Sequence, residues 1–506
     1  GKGTVGLAAS THCTPATNQS NLSGQSNSVP DLTSRFGSFG PQVCGLANEG
    51  MTLSEENLCG FAKTNTIVTW EELSKHSTES DLWVAIDGKA YDLTNWIDKH
   101  PGGLQTIRMS AGRDMTDEFE AYHPGYVRNF LPRFYVGEME TKHRKDLPSY
   151  QVAHRQLVKT FRDAGMYETD YFFYAKRAAL MAVLLAAGVF LALKGHVAPS
   201  AVLIAAFWQQ AAFIGHDAGH SGITHVRKLD NLIGLVAGNL CNGIGISWWK
   251  NTHNVHHIMT NSADHDPDIQ HLPVFAISER FFGSLFSKYH SAAMVFDETT
   301  KRLVSYQHLY WIPVLCLAKW TLYGQSIFFL CTSKSYVPLM YEALTLAAYF
   351  TWVGALALQF STWAQTAAFV FLSHAAFGVL HLQITCSHWT SETYEGIPED
   401  GEFLKVQLQG TTNWSCPRWL DWFHGGLQFQ IEHHCFPRMP RHNLRRVSEI
   451  LKGVCEEHGL PYRSPTFPQI IMMTYETMRQ AALAARKVTE FHEGSGKKFS
   501  FVGSVM

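Results

Sequence analysis

Hydrophobic and polar positions divide the chain into regimes of different period. Residues 1–62 carry few large apolar side chains and no period; Ser, Thr, Asn, Gly and Gln dominate. Such a stretch buries too little apolar surface to offset the entropy of ordering it, and a disordered tail is expected. Met51 stands just ahead of the first organised sequence and is the expected native start, which a mass measurement of the native N-terminus tests. Over 63–140 the runs are short and read as one compact domain. Residues 83–86 and 89–93 read as two strands joined at Asp87-Gly88, a two-residue hairpin signal, and a short helical segment follows before His100-Pro101-Gly102-Gly103.

Beyond 177 the apolar runs lengthen. Residues 178–193 and 197–214 are separated by a short loop, and 339–358 with 363–384 repeat that arrangement. Each pair reads as a transmembrane hairpin, four crossings in all. The first run falls short of the roughly twenty residues a crossing needs, so its flanking aromatics are expected to complete it. Two other stretches are interrupted, 231–246 by small and polar residues and 309–330 by Lys319 and Gln325; both are expected at the interface, the second as a re-entrant or interfacial segment. Basic residues cluster over 141–177, a juxtamembrane linker that the positive-inside rule places in the cytosol. The membrane domain then extends over 178–463, and 464–506 reads as a helix over about 468–488 with a flexible tail.

Histidine spacing adds the chemistry. His253, His256 and His257 stand at i, i+3 and i+4, one face of a helix; His216 and His220 stand at i and i+4; Gln430, His433 and His434 repeat the three-position pattern with Gln first. Neutral imidazole suits iron, copper, zinc and nickel, and seven such ligands on three short segments imply two ions. An even number of crossings keeps these three boxes on one side of the membrane, as a shared site requires. His374 and His381 fall within the last apolar run and His388 just past it. His374 is as well explained as a histidine bonded between helices, whereas His381 and His388 are better placed to reach a metal. In the compact domain His100 and His123 each adjoin a Pro-containing turn, twenty-three residues apart, and can approach one haem iron from opposite faces.

Charge and composition narrow the class. A net charge of −2 with no basic stripe argues against a nucleic-acid partner. The ten cysteines include no CxxC pair and several lie in apolar runs, which reads as reduced thiols on a cytosol-facing protein. No charged segment leads into an apolar one near Gly1, so a cleaved secretory signal is not expected. Between Thr66 and Tyr122, eleven acidic residues against five basic ones form a face able to steer a basic redox partner, or merely a solvated surface.

The HPGG segment with its second histidine resembles cytochrome b5 over the whole compact domain. By that resemblance His100 and His123 are axial ligands of haem b, and a six-coordinate iron carries electrons rather than binding oxygen. Behind it, GHDAGHSGITH, NTHNVHHIMTNSADHDPDIQHLP and DWFHGGLQFQIEHHCFPRMPRHNL resemble the front-end desaturases, most nearly the fungal sphingolipid (ceramide) Δ8-desaturases, over about 67–463. Cys435 and Ser221 depart from the residues usual at their positions, which bears on substrate fit more than on the metal site.

The resemblance implies a multidomain fold: a small α+β cytochrome b5-like domain, then an all-α transmembrane desaturase domain with four crossings plus interfacial helices. It implies two non-haem iron ions held by His216, His220, His253, His256, His257, His433 and His434, with His381 and His388 completing the set and Gln430 binding through its amide oxygen or a water. His225 and His265 are candidate outer partners, and Asp217, Asn254 and Glu432 are expected to hold the far ring N–H groups. The implied enzyme is an endoplasmic-reticulum membrane oxidoreductase with both domains facing the cytosol. It spends O2 and electrons from NADH-cytochrome b5 reductase to place a Δ8 double bond in the sphingoid base of ceramide or glucosylceramide. An acyl-lipid Δ6-type desaturase, a lipid hydroxylase and a non-catalytic haem membrane protein with structural zinc are the competing readings.

Overall fold

The alternation read at 83–93 folds as a hairpin because its turn has the required chirality. In the computed structural model, which describes residues 66–141, 146–333 and 336–491, β3 (Asp81–Ile86) pairs antiparallel with β4 (Lys89–Asp92), and Asp87 and Gly88 both take positive φ, 51° and 74°. The expected tail over 1–62, the start at Met51 and the final residues lie outside the described residues. β1 (Ile67–Val68), β2 (Ser77–Thr78) and β5 (Tyr135–Met139) complete a sheet of order β1-β5-β4-β3-β2. Helix α1 (Trp70–Lys75) starts where Thr69 Oγ1 accepts the Glu72 N–H. The period of two sends Leu82, Val84 and Ile86 to one face, with Ile107 and Phe119 from α2 (Leu104–Arg108) and α3 (Thr116–Tyr122), and Ala85 to the other, with Leu73 and Val68.

Within the stretch read as a basic linker, α4 (Ser149–Asp163) is an ordered helix; 142–145 lie outside the described residues. Then come α5 (Tyr171–Leu193) and α6 (Val197–Gly219), each of 23 residues. The aromatics at 171–174 do join the first span, and 23 residues at about 1.5 Å each exceed the roughly 30 Å of a bilayer core. α11 (Leu339–Ala357) and α12 (Trp363–Trp389) form the second predicted pair. Between the hairpins lie α7 (Arg227–Gly234), a π-helical turn at Leu235–Leu240, α8 (Ile246–Ile258), α9 (Glu298–Val304) and α10 (Gln307–Thr332). After them come α13 (Phe403–Gly410), α14 (Asp421–His424), α15 (Gln430–Cys435), α16 (Leu444–Glu457) and α17 (Phe467–Lys487).

Among the described residues five helices, α5, α6, α10, α11 and α12, are long and apolar enough to cross a membrane. Because the boxes before and after α10 meet at one site, an even number of α10, α11 and α12 cross. α10 is the candidate beyond the predicted four, a continuous helix of 26 residues over the stretch read as re-entrant or interfacial. Its polar residues do not break it because the protein absorbs them: Lys319 is fully buried, donating to O and Oδ1 of Asn242 at 2.9 and 2.7 Å above the Phe377 ring. Both its flanks are tied to segments adjoining the second box, through Gln307 Nε2 to Ala276 O and through Tyr336 N to Ser247 Oγ. α10 also packs closely on α12, where a Cβ on Gly378 would stand 2.7 Å from Cys316 Cα. His374, as expected of a histidine between helices, bonds Tyr323 OH and Val370 O and stacks on Trp320.

Candidate metal centre

Four helix ends deliver the histidines to one place. His216 lies in the last turn of α6 and His220 caps it; His253, His256 and His257 come from α8, His388 from the last turn of α12, and Gln430, His433 and His434 from α15. Their ring nitrogens form two all-histidine groups, His216, His220, His253, His257 and His433 in one and His256, His388 and His434 in the other, and a third group of His253, His256 and Asp268 links them, each group's ligand atoms lying within 4.8 Å of one another. Gln430 adjoins the second group, its Nε2 standing 3.1 Å from His388 Nε2 and 3.3 Å from His434 Nε2.

The donor set fits a metal. His257 Nε2 lies 3.0 Å from His253 Nε2 and 3.1 Å from His433 Nε2. Two nitrogens bound at about 2 Å to one ion, at right angles, stand about 3 Å apart. His220 Nε2 and Gln430 Oε1 are buried with no hydrogen-bond partner among the described residues, a cost that a bound ion removes. Burial, reinforced by neighbouring imidazoles, holds His220, His257, His433 and His434 well below the usual histidine range, and burial takes His253 to about 4. The rings are therefore neutral, as ligands must be. His256 differs: burial lowers it, but the Asp266 and Asp268 carboxylates outweigh burial and raise it.

Those carboxylates also fix the rings. Asp266 Oδ2 accepts from His256 Nδ1 at 2.8 Å and Asp268 Oδ2 from His253 Nδ1 at 3.2 Å, while Gln407 Oε1 meets His434 Nδ1 at 3.0 Å and Gly410 O meets His388 Nδ1 at 3.2 Å. With Nδ1 engaged, Nε2 is left for the ion. Asp266, Asp268 and Gln407 were not among the sequence candidates, although Asp266-Pro267-Asp268 directly after the second box is the signal that points to two of them.

Of the predicted ring partners only Asp217 stands beside a box ring, its Oδ1 3.6 Å from His216 Nδ1; it also accepts from Tyr174 OH and pairs with Arg441, both at 2.9 Å. Asn254 Nδ2 donates to Gly102 O, and Glu432 accepts from Asn413 Nδ2 and Tyr462 OH, bracing the third box. His225 meets Thr169 and His265 meets Asp264, so neither supports a box ring. His381 also departs from expectation, belonging to neither group. Seven residues before His388, it lies about 10 Å back along α12, where its Nδ1 meets Leu315 O and its Nε2 has no partner among the described residues.

In the small domain Gly103 O lies 3.2 Å from His100 Nδ1 and Phe119 O lies 3.1 Å from His123 Nδ1, leaving each Nε2 to ligate. The ring centres stand 5.8 Å apart. Two imidazoles bound through Nε2 to one iron at about 2 Å would have centres about 6 Å apart, so the pair fits a haem. Gly102 is needed beside it, since a Cβ there would meet His100 Cε1 at 2.7 Å. The acidic face turns partly inward to its own chain: Asp117 pairs with Arg155, Glu120 with Arg128 and Arg162, and Glu118 with Arg113, whose Nη1 also donates to Pro398 O.

A cavity of about 840 Å³ opens onto both histidine groups, touching His216, His253, His256, His388, Gln430 and His433. α10 and α12 give it an apolar wall that includes Leu315, Leu322, Phe329, Leu380 and Ile384. An apolar chamber against histidine groups that fit a metal, in a chain that also carries a histidine pair fitting a haem, has the make-up of a membrane oxidoreductase with its own electron donor.

Comparison with known sequences gives the family. Residues 193–466 match the family described as Fatty acid desaturase, and residues 69–140 match the Cytochrome b5-like Heme/Steroid binding domain. The chain belongs to the fatty acid desaturase family, with a fused cytochrome b5-like domain. Among its relatives are Delta(8)-fatty-acid desaturase 2 of Arabidopsis thaliana, 40% identical over 83% of this chain and 94% of that one, and the Acyl-lipid (9-3)-desaturase of Borago officinalis, 37% identical over 85% and 96%. The Delta 8-(E)-sphingolipid desaturase of Emericella nidulans is 38% identical over 62% of this chain and 59% of that one. The chain is thus a multi-pass membrane enzyme with a haem-binding domain and a histidine-held metal centre acting on lipid.

Proposed function

We propose that this enzyme places a Δ8 double bond in the sphingoid long-chain base of ceramide or glucosylceramide, using O2 and electrons passed through its own haem domain. The observation that carries the reading is the apolar cavity that reaches both histidine groups, which suits one long hydrocarbon chain laid across the metal centre. Support for the position of the double bond comes from relatives named as Δ8 desaturases of plant and fungal origin. The two groups would hold two non-haem iron ions, the first through His216, His220, His253, His257 and His433, the second through His256, His388 and His434 with Gln430 beside it. When bound, the irons supply the oxygen activation that breaks unactivated C–H bonds, which no acid or base side chain here achieves. The chain's own part is to hold the rings through Asp266, Asp268 and Gln407 and to seat the lipid against α10 and α12. His100 and His123 would hold haem b, which would supply single electrons received from NADH-cytochrome b5 reductase. Both domains face the cytosol from the endoplasmic-reticulum membrane.

Expression in a yeast lacking the activity, followed by mass spectrometry of long-chain bases and fatty acids, tests the reading. A double bond at C8 of the sphingoid base, absent with His256→Ala, is the expected result. A second reading, desaturation of an acyl lipid, is favoured by the likeness to the Borago officinalis acyl-lipid enzyme and predicts a new fatty-acid double bond instead. A hydroxylated product would replace both.

A further inference from the structure

The haem-ligand edge of the small domain packs directly on the helix of the second box. Asn254 Nδ2 on α8 donates to Gly102 O at 3.3 Å, and Tyr336 OH reaches Gly102 O at 3.5 Å and Asn251 Oδ1 at 3.4 Å. Met109 of the small domain joins Val255, Ile258 and Met259 of the second-box segment in one apolar cluster, with Tyr122 and Tyr289 packed against it. Ion pairs from Asp117 to Arg155 and from Glu120 to Arg162 hold α3 on α4. Tyr122 occupies a particular place in this contact. It directly precedes His123 in the chain, and its ring centre lies 6.2 Å from that of His257, the planes at 86°. Its hydroxyl oxygen is buried with no partner among the described residues, so hydrogen bonding does not explain the side chain's position. His257 in turn contacts His253 and His433 through Nε2. From one haem ligand to the first histidine group there is one peptide link and one ring-to-ring contact.

We propose that Tyr122 is the relay side chain for electron transfer inside the chain, from the haem between His100 and His123 to the ion held by the group that contains His257. The proposal rests on the assignment of both sites under the proposed function. In the step, one electron leaves ferrous haem and one arrives at the ferric non-haem ion; the haem becomes ferric and that ion ferrous. Tyr122 bridges the two with its aromatic ring, is neither oxidised nor reduced, and moves no proton. The α8 contact makes the transfer intramolecular, with no diffusional encounter between donor and acceptor.

The test follows ferrous-haem absorbance by stopped flow in the full-length enzyme, anaerobically and without lipid, after reduction by substoichiometric dithionite with the non-haem ions ferric. Tyr122→Phe keeps the ring and is expected to keep the wild-type rate constant. Tyr122→Leu is expected to slow it several-fold, with haem midpoint potential unchanged. Asn254→Ala, which removes a docking bond but keeps the ring, is expected to slow it less than Tyr122→Leu. Because the rate constant is read only from haem-bound molecules, partial haem loss does not mask it; Tyr122→Met, closer to Tyr in length, provides a second non-aromatic comparison. A Tyr122→Leu enzyme as fast as wild type, or Tyr122→Phe as slow as Tyr122→Leu, overturns the relay. Slowing by Asn254→Ala equal to that by Tyr122→Leu overturns it in favour of docking alone. A wild-type haem that keeps its electron in the presence of bound ferric ions overturns the proposed function along with it.

Discussion

Asp266→Asn isolates what holding a ligand ring contributes. Asp266 is fully buried, and three donors converge on its carboxylate: His256 Nδ1 and Asn261 N on Oδ2, each at 2.8 Å, and Asp268 N on Oδ1 at 2.9 Å. An amide of the same shape has one oxygen. Whichever way it turns, its NH2 faces a donor, toward Asp268 N in one orientation and toward His256 and Asn261 N in the other. In the second orientation the bond to His256 is lost and the ring is freed to turn; in the first it survives only as a weaker, uncharged bond. Loss of such an outer partner costs roughly 10- to 100-fold in metal affinity, or about 1.4 to 2.8 kcal/mol. The assay is titration of purified enzyme with an iron chelator, reading iron retained per chain, with haem absorbance as the internal control. The chelator concentration at half-loss should fall by that factor for one of two ions while haem is unchanged. Iron retention identical to wild type would refute the argument that Asp266 fixes His256.

Four other outcomes follow from the same geometry. His100→Ala should abolish haem binding and leave non-haem iron in place, and His256→Ala should do the reverse; full turnover by His256→Ala would exclude it as a ligand. His154 on α4 is 1% exposed between Phe403 and Phe436, and burial takes it to about 4. The unfolded chain therefore binds a proton that the folded one refuses, and stability falls as pH drops from about 6.5 to about 4, by at most on the order of 3 kcal/mol. His154→Gln should flatten the fall of the melting midpoint over that window, and an unchanged acid slope would count against the mechanism. Gly378→Ala forces a Cβ to 2.7 Å from Cys316 Cα, and the overpacking should cost about 1–3 kcal/mol, read as a lower Tm in detergent. Lys319→Met leaves both oxygens of Asn242 without their donor, at about 1–3 kcal/mol, and a Tm equal to wild type would show that the buried amino group contributes nothing net.

The histidine boxes were legible in the sequence because their geometry is local. Residues at i, i+3 and i+4 share a helix face wherever the helix lies, and Asp87-Gly88 between alternating strands can form only a tight hairpin, so neither depended on the rest of the fold. The same holds for the apolar lengths of α5, α6, α11 and α12, which composition alone sets. Which partner meets each face is a different matter. Asn254 lies inside the second box yet turns to Gly102 of the haem domain, while Asp266 and Asp268, beyond the box, reach back to its rings. His381 and His388 look equivalent in sequence, but the depth at which α12 meets α8 and α15 admits only His388. α10 runs unbroken past Lys319 because Asn242, far away in the chain, accepts from its Nζ. The acidic surface of the haem domain, read as a face for a foreign partner or for solvent, spends Asp117 and Glu120 on Arg155 and Arg162 of its own chain. Sequence by itself determined the donor types, their helical phase and the two-domain plan, since all of these are properties of short windows. Tertiary structure decided how the donors divide between two groups, what orients each ring and that the haem edge faces α8, because those are contacts between residues far apart in the chain whose pairing only packing selects.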